Sequence, residues 1–132
     1  MHRPHLQFER TDIWREGKWL DLWSLVHFLS GLPVAIGLSV FHFGFWPTFL
    51  IASLLFIAYE LWEAMVKIEE TPQNRFMDVV VGQASFLVAW AIGIPEAWTM
   101  DFFVAFGVIL VVNLILAAMG WYASQKAAEL EK

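Results

Sequence analysis

Four apolar stretches, at 22–43, 46–66, 76–94 and 101–122, constrain this chain more than any other feature of it. Crossing a bilayer core about 30 Å thick takes about 20 consecutive apolar helical residues. Each stretch meets that length. Composition agrees: 59% of the 132 residues are hydrophobic and only 16% are charged, whereas an average soluble domain is nearer half apolar and a quarter charged. The fold expected is all-α, an integral membrane four-helix bundle, with residues 1–132 forming a single membrane domain.

The connections follow from local chemistry. Gly44 and Phe45 leave little room between the first two spans, and Pro47 falls in the first turn of the second, where a starting helix tolerates it. A tight hairpin is predicted. Residues 67–75, with Glu69, Glu70 and Pro72, form a polar loop, and Pro95 ends the third span because the residue before a proline is pushed from helical geometry. Thr99 or Asp101 caps the fourth. Residues 11–21 mix Ile13, Trp14, Trp19 and Leu20 with charges, as a short segment lying on the inner membrane surface does.

Every basic residue falls on one side of this topology. Arg3, Arg10, Arg15 and Lys18 precede span one, Lys67 and Arg75 separate spans two and three, and Lys126 and Lys132 lie in the tail, 123–132. By the positive-inside rule both termini are cytoplasmic and the protein sits in the inner membrane. Trp19, Trp23, Trp62 and Trp121 fall near the inner ends and Trp46 and Trp98 near the outer ends, the depths this side chain favours. Trp90 lies deeper. The first twenty residues lack the apolar core of a signal peptide.

The absence of cysteine excludes disulfides and thiolate chemistry. A net charge of −5 argues against nucleic acid as a partner. Three of those five charges belong to Glu60, Glu63 and Asp78, within the spans.

Ionisable residues inside spans are costly and are the first place to seek function. Counting from the hairpin turns puts His27 level with Glu63, since each is 18 residues from Phe45. Glu63 and Asp78 are nearly level about Thr71, and Glu60 is one turn deeper on the face of Glu63. His27, Glu60, Glu63 and Asp78 thus converge near the cytoplasmic surface. One imidazole and three carboxylates suit a divalent metal, with the imidazole favouring zinc, iron or manganese over calcium. At that depth the cluster is placed to bind a lipid headgroup, or to act on a lipid-linked substrate through the metal or by acid–base chemistry. The competing reading is a packing network, with Glu63 paired to Lys67, Asp78 to Arg75 and Glu60 to His27.

Gln83 and Asn113, each 15 residues from Trp98, are expected to hydrogen-bond one another as structural glue. Asp78, Gly82, Ser85, Ala89 and Gly93 on span three, and His27, Gly31 and Ala35 on span one, mark inward faces where small residues allow close approach. His42 is an interfacial residue. No cofactor motif is present, although the aromatic spans leave a pigment or cofactor open. A different class of function is a non-catalytic accessory subunit, packing against a larger membrane complex or a second copy of itself.

Between Tyr59 and Trp90 the chain resembles the VanZ-like family of small polytopic membrane proteins. The resemblance rests on Tyr59-Glu60-Leu61-Trp62-Glu63, on Pro72, and on Asn74-Arg75-Phe76-Met77-Asp78-Val79-Val80-Val81-Gly82, with His27-Phe28 in the first span. It departs at Gly82, where the family often has Asn, and at Glu63, where it often has Gln. The resemblance implies a membrane protein connected with the cell envelope and assigns no reaction.

Overall fold

The computed structural model describes residues 12–15, 17–65, 70–92 and 100–130, and these are all helix, turn or irregular chain with no strand among them. Four helices follow in order: α1 Leu22–Ser39, α2 Phe45–Met65, α3 Pro72–Ala91 and α4 Met100–Leu130. The expectations resting on Thr11, Lys67, Gly93, Pro95, Trp98, Thr99, Arg3, Arg10 and Lys132 lie outside the described residues, as do the far ends of the second and third spans.

Each described boundary has a local cause. Asp21 caps α1 by accepting from the Ser24 backbone N–H at 3.3 Å, while the Ser24 hydroxyl accepts from the Asp21 N–H at 3.2 Å. This reciprocal pair satisfies two donors that a helix start leaves open. α1 stops at Ser39, short of the expected 43, and His42 adopts a positive φ of 54° in the turn that follows. A left-handed residue cannot continue a right-handed helix, so the hairpin has a five-residue connection, 40–44. α3 starts at Pro72 and not at 76: Thr71 caps it by accepting from Asn74 N–H at 3.1 Å, and Pro72 occupies the first turn. A proline that reads as a loop breaker is here a helix starter. Asp101 lies inside the first turn of α4 and does not cap it. α4 continues to Leu130, past the expected 122, through Ala, Gln, Lys and Glu residues with good helix propensity.

Among the described residues three segments are long and apolar enough to cross a membrane: α1, α2 and Phe103–Ala127 of α4. The expected fourth, α3, is about 30 Å long at 1.5 Å per residue but too polar along its length to qualify. Its polarity is directional. The buried side holds Asn74, Asp78, Gly82, Ser85, Phe86 and Ala89, whereas the exposed positions from 76 onward are Phe76, Val80, Ala84, Leu87, Val88, Ala91 and Ile92, all apolar. A water-facing helix is amphipathic in the opposite sense.

α1 is the central element. It lies most extensively against α3 and also meets α4 and α2; α2 packs on α3, and the backbone of α4 approaches α1 alone among the described residues. At the α1–α3 crossing a Cβ placed on Gly31 would run into the carbonyl oxygen of Gly82 and stand 2.6 Å from Ser85 Cβ. Only glycine allows this spacing, which holds the polar residues of the two helices together.

An apolar core of Ala35, Ile36, Ala52, Phe56, Phe86 and Ala89 fills the half of the fold nearest the α1–α2 turn. Trp90 belongs to it, set edge-on to Phe45 at 5.4 Å and stacked on Phe86 at 5.9 Å, which accounts for a tryptophan at that depth. At the opposite end Trp14 and Trp23 pack edge to face at 5.1 Å beside Val26, Leu116 and Ala117. Trp14 therefore anchors the segment before α1 inside the fold, while Ile13, Trp19 and Leu20 remain exposed.

Candidate metal centre

The α1–α3 crossing and the end of α2 bring three ionisable residues into one buried place. His27 Nε2 stands 3.3 Å from Asp78 Oδ2 and 3.6 Å from Glu60 Oε1, and all three side chains are at least nine-tenths buried. Glu60 forms a second group with Glu63 and Glu70, in which one oxygen from each lies within 4.8 Å of the others. The four residues expected to converge are all here, divided between two triads that share Glu60.

The division has a geometric cause. His27 lies 12 residues before the end of α1, whereas Glu60 and Glu63 lie 15 and 18 residues into α2. The earlier end of α1 shifts the level of His27 toward the earlier residues of α2, and its contact there is with Glu60 and not with Glu63, one turn further on. Glu63 instead falls in the second triad with Glu60 and Glu70, and the ring of Tyr59 is edge-on to His27 at 5.5 Å.

The distances discriminate between an ion pair and co-ligation. A charge-assisted N–H···O bond is about 2.7–2.9 Å long, so both imidazole contacts are too long for a strong one. Two ligand atoms, each about 2.1 Å from one ion, stand about 3.0 Å apart at a right angle and about 3.4 Å apart at the tetrahedral angle. The His27–Asp78 spacing of 3.3 Å falls in that range, and the His27–Glu60 spacing of 3.6 Å lies just above it. Among the described residues no hydrogen-bond donor serves either Glu60 oxygen or Asp78 Oδ2, although buried polar atoms are nearly always satisfied. Asp78 Oδ1 does accept from the Ser24 hydroxyl at 3.3 Å, an outer contact of the kind that orients a ligand.

Arg75 supplies positive charge to the second triad. Its Nε donates to Glu70 Oε1 at 2.9 Å and lies 3.8 Å from Glu60 Oε2. Around this centre the start of α3 is fastened to the segment before α1. Thr71 Oγ1 donates to the Lys18 carbonyl at 2.6 Å, and Asn74 Nδ2 donates to the Gly17 carbonyl at 3.0 Å and to Asp21 Oδ2.

Glu70 and Asp21 are absent from the four residues picked out in the sequence. Glu70 stands in what reads as a solvated loop, and no sequence signal marks its return to Glu60. Asp21 does carry a signal, an N-cap residue immediately before an apolar run, but that signal indicates a helix start and not a neighbour of Asn74.

The expected Gln83–Asn113 pair is not formed. Gln83 Nε2 donates to Ser53 Oγ on α2, and Asn113 Nδ2 donates to Ser30 Oγ on α1 at 2.8 Å. Equal depth does not imply adjacency, because α3 and α4 lie against different parts of α1. His42 is exposed in the α1–α2 turn, remote from the cluster.

Fold and site together define a class: a chain whose described residues form helices without strands, three of them apolar enough to cross a membrane, with a buried imidazole–carboxylate cluster where the central helix begins. Beyond that class, the chain matches no family model, no curated protein and no solved structure.

Proposed function

We propose that this is a four-span inner-membrane protein, with both termini cytoplasmic, that holds a divalent cation between His27, Glu60 and Asp78 at the depth of the inner-leaflet headgroups. The observation that carries this reading is the spacing of His27 Nε2 from Asp78 and Glu60, 3.3 and 3.6 Å, in a place where the facing carboxylate oxygens have no donor among the described residues. Burying an ionised carboxylate costs several kcal/mol even after relaxation, and a purely structural network offsets that cost by satisfying each oxygen. A divalent cation offsets it here. Imidazole with carboxylates favours manganese, iron or zinc.

The fourth span is α3. Its apolar exposed face suits lipid, and an even number of spans keeps every lysine and arginine on one side. The cation then faces the polar end of a lipid-linked substrate, which it is placed to polarise; the resemblance to VanZ-like proteins leads to the same envelope setting.

The test is metal binding by the purified full chain in detergent. After chelator treatment, calorimetric titration with Mn²⁺ is expected to show one saturable site, lost in Asp78→Asn and His27→Gln while the helical circular dichroism is kept. Absence of binding, or binding unchanged in both variants, sinks the proposal.

A second reading, an accessory subunit, rests on α4, whose backbone approaches only α1 among the described residues, which touches α2 through the Trp62–Trp121 ring contact, and which exposes Val104, Val108, Val111 and Ile115. Purification in mild detergent decides it, since this reading requires a stoichiometric partner or a second copy.

A further inference from the structure

The two triads share Glu60, and a carboxylate shared in this way bridges the ions of a two-metal centre, whose ions stand about 3.5–4 Å apart. The two lobes are not alike. Among the described residues the His27 lobe contains no fixed positive charge and holds carboxylate oxygens without donors, whereas the lobe of Glu60, Glu63 and Glu70 already contains a guanidinium, with Arg75 Nε at 2.9 Å from Glu70 and 3.8 Å from Glu60 Oε2. We infer that Arg75 is the built-in cation of a second metal position, and that it keeps the centre mononuclear. The inference rests on the divalent-cation reading and adds its stoichiometry.

Three carboxylates whose oxygens gather within 4.8 Å repel one another and need a cation among them. Arginine supplies one that is never lost to deprotonation. Arg75 is well placed for it: it stands one turn before Asp78 on α3, so the residue that closes one lobe and the residue that ligates in the other share a rigid helix. Its side chain is 31% exposed while that of Glu60 is 5%, so the guanidinium enters from the water side and covers the outer lobe. A second divalent ion beside a guanidinium would face direct repulsion. Removal of the guanidinium leaves Glu60, Glu63 and Glu70 as a vacant oxygen site next to the first ion, with Glu60 as the bridge.

The experiment measures Mn²⁺ per chain by elemental analysis after gel filtration, together with the electron paramagnetic resonance spectrum, which separates an isolated Mn²⁺ from an exchange-coupled pair. Wild type is expected to bind one ion with an uncoupled six-line signal. Arg75→Met is expected to bind two, with a coupled spectrum, and Arg75→Lys, which keeps the charge, is expected to return to one. One ion in Arg75→Met, two in Arg75→Lys or two in wild type overturns the inference while leaving the cation site standing. No ion in either wild type or Arg75→Met overturns the functional reading itself and this inference with it. Elution volume and helicity identify a misfolded Arg75→Met, in which case Arg75→Gln takes its place with the same two-ion expectation.

Discussion

Glu60 is the residue on which the centre turns: one oxygen faces His27, the other faces Arg75, and neither has a hydrogen-bond donor among the described residues. Such a residue is retained at a cost to the fold. Glu60→Gln removes a charge from the most crowded part of the cluster and supplies an amide donor to the neighbouring carboxylates. Without metal the variant is therefore expected to melt at a higher temperature than wild type. With metal the order reverses: ligand at 100 times its dissociation constant contributes about 2.7 kcal/mol to the native state, and the variant gains little of it. Thermal unfolding in detergent, with chelator and then with Mn²⁺, checks both signs, and a variant less stable in chelator contradicts this account of Glu60. The residue types of the cluster were legible in the sequence because ionisable groups in apolar runs are conspicuous. Their grouping was legible only in part: pairing His27 with Glu60 and not with Glu63 depends on where α1 ends, and that depends on the left-handed conformation of His42, which no spacing discloses.

Among the elements, α1 carries the greatest demand, since it packs on each of the other three and supplies His27. Its contact with α3 is set at Gly31, where the backbone of α3 leaves no space for a methyl group. Gly31→Ala forces the helices apart beside Gly82 and Ser85, one turn from His27, and is expected to destabilise the protein by about 1–3 kcal/mol, the usual cost of overpacking, and to weaken metal binding. Gly107 on α4 is the control. A Cβ there meets nothing within 4 Å, so Gly107→Ala is expected to be neutral or slightly stabilising through helix propensity. Equal effects from the two substitutions, in denaturant or thermal unfolding, contradict the close crossing. The small-residue pattern made this seam readable in advance, whereas the partners of Gln83 and Asn113 were not, because depth along an axis says nothing of direction around it. Helix ends were the least readable feature: Thr71-Pro72 starts α3 where the charges around it suggest loop.

For the whole molecule the decisive question is whether α3 crosses. By average hydropathy it is the exception among the four helices, yet averaging conceals the fact that Asn74, Asp78 and Ser85 are buried in the fold while its exposed positions from 76 onward are apolar. A span that carries a site has to look this way, since the residues that make it functional are the ones that lower its score. The two topologies differ at the ends of the chain: with α3 crossing, Arg15 and Gln125 share a side, and without it they are on opposite sides. The sequence contains no cysteine, so single cysteines introduced at exposed positions report without background. Arg15→Cys and Gln125→Cys are expected to resist a membrane-impermeant maleimide in intact cells and to react after permeabilisation, while Gly44→Cys, in the α1–α2 turn, reacts in both. Opposite behaviour at Arg15 and Gln125 removes α3 from the membrane. It also ends the argument from charge, because an odd number of spans distributes the basic residues across both faces and leaves no side free of them.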